Sequence, residues 1–351
     1  MQTGITQAPF GQLPDGRAIT QFTLTNAAGM VVKIIDYGGI ITAWRAPDRA
    51  GNFADVVLGF DTLEPYRGDS PYFGALIGRY GNRIGRGRFT LDGQAFQLPL
   101  NDGNHHLHGG PDGFDRVKWD ATVEGASLRL AYRSVDGEMG YPGNLDATVV
   151  YTLMDSNELG VSFHAVTDKA TPVNLTQHSY FNLAGGGDIL GHLLTIDADA
   201  FVAIDAESIP TGELRPVAGT PFDFRSARPI GALIGETDEQ LRHGGGYDHS
   251  FVLDKPAGKA MTRAARVVEP VSGRVLELWT EEPAVQFYSG NFLDGSLVGK
   301  GRTYQYRSGF CLEPQHFPDS PNQPRFPNVI LRPGQEYRTE SRFRMLVEPG
   351  A

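Results

Sequence analysis

Glycine and proline punctuate this chain from end to end, and short runs of β-branched and aromatic residues lie between the marks. The 44 glycines and 23 prolines of the 351 residues are pooled in no single stretch. Interruptions therefore recur at roughly ten-residue intervals, the rhythm of an all-β chain. Helical periodicity is almost missing. A doubly wound or barrel α/β fold needs a helix after most strands, which this spacing does not supply, so a large antiparallel β-sandwich with hardly any helix is expected. A propeller would show a repeat of about 40–50 residues, and the sequence has none.

Individual strands are legible. Val31 to Tyr37 and Ile40 to Trp44 read as strands joined at Gly38-Gly39. Arg88 to Leu91 and Ala95 to Leu98 flank Asp92-Gly93, a pair suited to the positive φ angles of a type I′ hairpin. Further candidates are Leu128 to Tyr132, Ala147 to Leu153, Leu159 to Ala165, Leu193 to Ile196, Val275 to Trp279, Val285 to Tyr288 and Tyr337 to Leu346. One short helix is expected near Gly231 to Leu241. No low-complexity linker divides the chain, so residues 1–351 are expected to form one domain. The runs Gly185 to Gly187 and Gly244 to Gly246 are expected as loops beside a ligand cleft.

Charge narrows the partners. Against 41 acidic residues stand 31 basic ones, a net charge of -10, with no basic tail. This argues against nucleic acid or an anionic membrane and for a small neutral or cationic ligand. The single cysteine, Cys311, excludes an intramolecular disulfide and a thiolate metal cluster. The N-terminal segment lacks the charged and apolar regions of a signal peptide, and no 18-residue apolar run occurs. A cytoplasmic protein, monomer or homodimer, is expected.

Four polar clusters carry chemistry. Asn82 and Arg83, in a glycine- and arginine-rich stretch from Gly78 to Arg88, can fork hydrogen bonds onto vicinal hydroxyls or a carboxylate, or form a solvated turn. Asn104 to Gly110 places His105, His106 and His108 within four residues. That density invites a metal, but adjacent residues of an extended chain point to opposite faces, so a hydroxyl contact from His108 or a surface loop competes with it. His178 lies in Gln177 to Asn182, with Phe181 and Leu183 as apolar neighbours that could hold its ring; Asp248 is a ligand contact if buried and a loop cap if not. Glu313, bracketed by Phe310, Cys311, Leu312 and Pro314, must find partners or shift its pKa upward by desolvation, which would strengthen it as a base. Gln315 and His316 could orient it, and Pro318 to Pro327 would form a stiff wall. An imidazole titrating near ~6.5 and a carboxylate near ~4.3 suit paired acid and base work around neutrality.

Six separated blocks then form a recognisable set: Asn82-Arg83-Ile84, Leu107 to Gly110, Gln177 to Leu183, Tyr247-Asp248-His249, Gln286 to Asn291 and Leu312 to Gln315. Together, and in this order, they resemble the aldose 1-epimerases, also called galactose mutarotases, over nearly the whole chain. The resemblance implies the large β-sandwich of that family and an isomerase using no metal or other cofactor on a small aldose sugar. It implies Glu313 as general base, His178 as general acid, and Asn82, Arg83, His108, Tyr180, Asp248 and Gln286 as sugar-binding residues. His105 departs from the pattern, standing where an asparagine is expected. Three rivals remain: a hexose-6-phosphate 1-epimerase using Arg79, Arg83 or Arg86, a non-catalytic sugar-binding module, and a glycoside hydrolase with Asp248 as second carboxylate.

Overall fold

A computed structural model of the chain describes residues 3–256 and 260–349. Antiparallel sheets dominate it. Strands Gly4–Gln12, Ala18–Thr25, Val31–Ile35, Ile41–Pro47 and Phe53–Asp55 form a five-stranded meander. A nine-stranded sheet runs in spatial order from Asp120–Glu124 through Ser127–Ser134, Leu145–Leu153, Glu158–Thr167, Tyr337–Val347, Arg274–Thr280, Thr262–Val268 and Leu193–Ile196 to Arg228–Pro229. A six-stranded sheet orders Tyr180–Phe181, Phe310–Gln315, Ala284–Tyr288, Asp248–Val252, Ala200–Ile204 and Pro210–Pro216. Every strand candidate named from the sequence is found as a strand.

Alternation within the six-stranded sheet places the site. In Phe310-Cys311-Leu312-Glu313-Pro314-Gln315 all six residues are buried, because both faces of the sheet are covered. Phe310 and Leu312 share one continuous core with Phe287, Val285 and Phe251 of the neighbouring strands and with Leu278, Phe343, Val161 and Val149 of the nine-stranded sheet. Successive side chains of a strand point to opposite faces, so Cys311, Glu313 and Gln315 are turned away from that core. Trp44 ties the layers together: fully buried in the five-stranded sheet, it meets Phe181 and Phe343 edge-on at ring distances of 5.8 and 6.2 Å. These two partners belong to the six- and nine-stranded sheets respectively.

The Asp92-Gly93 hairpin forms as expected, with φ of 51° and 80°. So does the turn at Gly38-Gly39, both at positive φ. A Cβ on Gly39 would stand 2.3 Å from Leu76 Cδ1, so glycine is required there for space as well as for backbone angle.

Three expectations need correction. The helix near Gly231 to Leu241 starts later, at Glu239–Gly244, because the Asp238 carboxylate accepts the backbone N–H groups of Gln240 and Leu241 and fixes the start there. A second short helix, Leu63–Arg67, had no periodic signal at that length. Neither glycine run borders the cleft: Gly185 lies against Ala54 and Asp55, and Gly246 packs on Asn291 and Arg307.

Candidate active site

The face of the six-stranded sheet turned away from the main core is a grid. Register opposes Tyr180 to Cys311, Cys311 to Tyr288 and Tyr288 to Asp248 in one row. The next row holds Glu313, Gln286 and Ser250, and the one after it Gln315, Ala284 and Val252. His178, in the strand Thr176–His178, joins the Glu313 row, its Nε2 standing 3.5 Å from Glu313 Oε2. The Tyr180–Cys311 pairing two residues further along carries the His178 strand beside the Glu313 strand and brings residues 135 positions apart into contact.

A second pairing supplies the facing wall. Arg83–Ile84 pairs with His106–Leu107, and residues at the ends of this short ladder clasp each other. His108 N–H donates to the Asn82 carbonyl at 3.2 Å, while Asn82 N–H donates to His108 Nδ1 at 3.1 Å. Both adopt left-handed backbone angles, φ 64° for Asn82 and 52° for His108, which asparagine and histidine tolerate better than most residues. Together with His178, Glu313 and Asp248, this wall encloses a cavity of about 150 Å³.

Within the cavity the polar groups are tethered. Arg83 Nε donates to Asp102 Oδ2 at 2.7 Å and its guanidinium lies 3.8 Å from Asp248 Oδ2, while Gln286 Nε2 donates to Asp248 Oδ1 at 2.7 Å. Burial pulls the Arg83 guanidinium down, but Asp248 and Asp102 outweigh it and hold it above its ordinary value. Tyr180 stacks on the His178 ring at 5.2 Å and 24°, and His108 meets that ring edge-on at 5.1 Å. The imidazole of His178 is therefore fixed in orientation from both sides.

Burial governs the titration. It lowers the His178 pKa to about 4 and pushes Glu313 well above the usual carboxylate range, with Asp248 adding to the rise and Arg83 opposing it. Both groups thus favour their neutral forms, so burial favours a pair that shares a single proton. That proton can reside on either partner.

His108, His178 and Glu313 each offer a ligand atom within 4.8 Å of the others, a grouping that could hold a metal ion. The hydrogen bonding is wrong for one. A metal-ligating imidazole normally donates its remote N–H to an acceptor, whereas His108 Nδ1 faces the Asn82 N–H donor and the neutral ring must carry its proton on Nε2. His106 is committed to the Pro99 carbonyl and the Tyr141 hydroxyl, and His105, also buried, accepts the Arg86 N–H at Nδ1. The expected cluster of three neighbouring histidines is therefore dispersed, and only His108 enters the cavity.

Of the residues expected in the site, Asn82, Arg83, His108, His178, Tyr180, Asp248 and Glu313 line the cavity, and Gln286 lies beneath it, behind Asp248. The segment from Pro318 to Pro327 is not a wall. Asp319 instead accepts from Gly85 N–H and donates its own N–H to the Arg83 carbonyl, bracing that strand from behind. Tyr72, Asp102, Tyr288 and Phe292 also line the cavity and were not anticipated. Tyr288 was within reach of the sequence, since two residues beyond Gln286 a strand returns to the same face. Tyr72, edge-on to His108 at 4.6 Å with φ 63°, gave no sequence signal.

The family model described as aldose 1-epimerase matches residues 20–344. The chain belongs to the aldose 1-epimerase family. It is 47% identical over 346 residues to a galactose mutarotase of Rattus norvegicus, covering 98% of this chain and 99% of that one. It is 41% identical to an aldose 1-epimerase of Escherichia coli over 340 residues, covering 95% and 97%. Among solved structures, an aldose epimerase homologue from C. elegans superposes with a TM-score of 0.86 at 31% identity, covering 93% of this chain and 98% of that one. This aldose 1-epimerase is thus an isomerase with the β-rich fold of the mutarotases. Among the described residues no helix is long and apolar enough to cross a membrane.

Proposed function

We propose that the enzyme interconverts the α and β anomers of a free aldohexose, with D-galactose or D-glucose as substrate, through Glu313 as general base and His178 as general acid. The observation that carries this reading is the 3.5 Å contact between His178 Nε2 and Glu313 Oε2 in the lining of the cavity. Glu313 takes the proton of the anomeric hydroxyl as His178 protonates the ring oxygen. The C1–O5 bond breaks and the C1–O1 bond gains double-bond character, leaving the open-chain aldehyde. Rotation about C1–C2 presents the other carbonyl face, O5 adds back to C1 as it returns its proton to His178, and Glu313 protonates O1 as the C1–O1 bond becomes single. The pair begins and ends with the same single proton, so no net exchange with solvent is needed.

Asn82, Arg83, His108 and Asp248 are the sugar-binding groups of this reading, with Tyr180 and Gln286 holding His178 and Asp248 in place. The His108 tautomer supports it, because an Nε2–H turned to the cavity donates to a hydroxyl. A phosphorylated hexose is disfavoured by the arginines: Arg79 is buried with its guanidinium on the Pro142 and Gly143 carbonyls and Ser134, Arg86 pairs with Glu207, and Arg83, the one of the three that lines the cavity, is already flanked by Asp102 and Asp248. The single buried thiol of Cys311 supports a cytoplasmic location, and the core cluster running from Phe22 to Met345 supports one domain over residues 1–351.

Polarimetry of freshly dissolved α-D-glucose and α-D-galactose tests the reading. Faster decay to an unchanged end point, insensitive to a chelator, is the expected result. Decay at the spontaneous rate with both sugars would refute it.

A further inference from the structure

We propose that Thr176, Ser250, Gln286 and Gln315 form a buried hydration site that holds ordered water against the inner oxygen of Glu313. The inference rests on the reading of Glu313 as the base and adds a layer behind it. The four residues occupy the two deeper rows of the grid: Ser250 and Gln286 stand in the Glu313 row and Gln315 in the next. Continuing the Tyr180–Cys311 register backwards sets His178 opposite Glu313 and Thr176 opposite Gln315, and the His178–Glu313 contact bears out the first of these.

All of these side chains are at most 3% exposed. Five of their polar atoms find no partner in the protein, Thr176 Oγ1, Ser250 Oγ, Gln286 Oε1 and both amide atoms of Gln315, and Glu313 Oε2 has only its long 3.5 Å contact with His178 Nε2. Isolated buried polar groups without hydrogen bonds cost about 1–3 kcal/mol each. Five such atoms on one face would together cost a sum comparable to the whole stability of a typical domain, about 5–15 kcal/mol. Something must therefore pair them.

The mixture of atoms identifies the ligand. An anion is repelled by Glu313, and a cation would leave the donor Nε2 of Gln315 unsatisfied. Water both donates and accepts, and a buried water molecule makes about three hydrogen bonds, so roughly two molecules satisfy the set. Water donating to Oε2 stabilises the carboxylate form. It thereby offsets the burial that drives Glu313 toward protonation and keeps the base available near neutrality.

A high-resolution crystal structure of the sugar-free enzyme, together with Ser250→Ala and Gln315→Met, tests the proposal. Density for water bridging the Gln315 amide and Glu313 Oε2 is expected. Both variants are expected to lower kcat about tenfold, the equivalent of one pKa unit, with KM within about twofold and the alkaline limb of the pH profile moved upward. Ser250→Ala removes one oxygen only and keeps the test open if Gln315→Met fails to fold. A Gln315 amide bonded directly to Thr176 without intervening solvent, or variants with unchanged kcat and pH profile, would overturn it. Should Glu313→Gln retain full activity, the reading of Glu313 as base falls, while the density still decides the water.

Discussion

Replacing Glu313 by glutamine separates catalysis from stability, because the structure predicts opposite signs for the two. The substitution keeps the shape of a side chain that is 2% exposed and whose Oε2 has only the long 3.5 Å contact with His178 Nε2. It removes the base. A positioned general base contributes about 10²–10⁴-fold, or roughly 2.7–5.5 kcal/mol of transition-state stabilisation, so kcat should fall by that factor while sugar binding persists. Stability should rise. Burial holds the folded-state pKa of Glu313 well above that of the unfolded chain. A carboxyl group so shifted costs nothing below the unfolded value, where both states are protonated. The cost appears as pH climbs past about 4.3 and levels off above the folded value, at about 1.4 kcal/mol for each unit of difference. Glutamine pays none of it. Thermal unfolding followed by calorimetry should therefore show the variant melting above the wild type at pH 7 and level with it near pH 3. At roughly 2–4 °C per kcal/mol for domains of 150–250 residues, and less in a longer chain, a shift of a few degrees is expected. An inactive variant that melts below the wild type at pH 7 would refute the argument, since it would mean that the native carboxylate is stabilised by its surroundings.

Further outcomes follow from the same geometry. The pH profile of kcat/KM should fall on the acid side near the His178 value of about 4, where the pair gains a second proton and Glu313 loses its basicity, and fall again when the pair loses its only proton; a profile rising through pH 6–7 would contradict it. Asp248→Asn leaves Arg83 without its 3.8 Å partner and weakens an acceptor at the cavity wall, so KM should rise about tenfold or more, in line with roughly 1.5–3 kcal/mol for a hydrogen bond to a charged group, while kcat changes less. Trp44→Ala, which empties the joint between three sheets, should cost about 3–5 kcal/mol in denaturant unfolding and leave kcat per folded molecule unchanged. Asp238→Ala should cost about 1 kcal/mol through the lost cap of the Glu239–Gly244 helix.

The parts legible from sequence were those encoded by short-range physics. Strands announced themselves by period-two alternation and β-branched runs, and Asp92-Gly93 by its backbone requirements. The FCLEPQ strand showed a carboxylate among apolar neighbours, and that conflict flagged Glu313 before any fold was in hand. What was hidden is long-range. Nothing local says that Asp102 will hold Arg83, that Tyr72 will close on His108, or that Asp319 will brace the back of the Arg83 strand. Those contacts depend on where loops return. Likewise the glycine runs advertised flexible turns, yet their neighbours in space are Asp55 and Arg307, away from the cavity.

Register is the deeper reason the site is robust once formed. Acid, base and their supports come from strands far apart in sequence, but each is locked to its neighbour by a ladder whose opposite face is core. Sliding the Phe310–Gln315 strand by one residue would turn Glu313 into the core against Phe287 and expose Leu312 to the polar face. That error costs an uncompensated buried charge and the burial of a leucine together, each worth several kcal/mol or close to it. The apolar residues between the catalytic ones thus act on the chemistry indirectly, by making every register but one untenable. A site built this way tolerates change in the loops that shape the sugar, because His178 is held by its ladder to Ala75 and Glu313 by its ladder to Gln286.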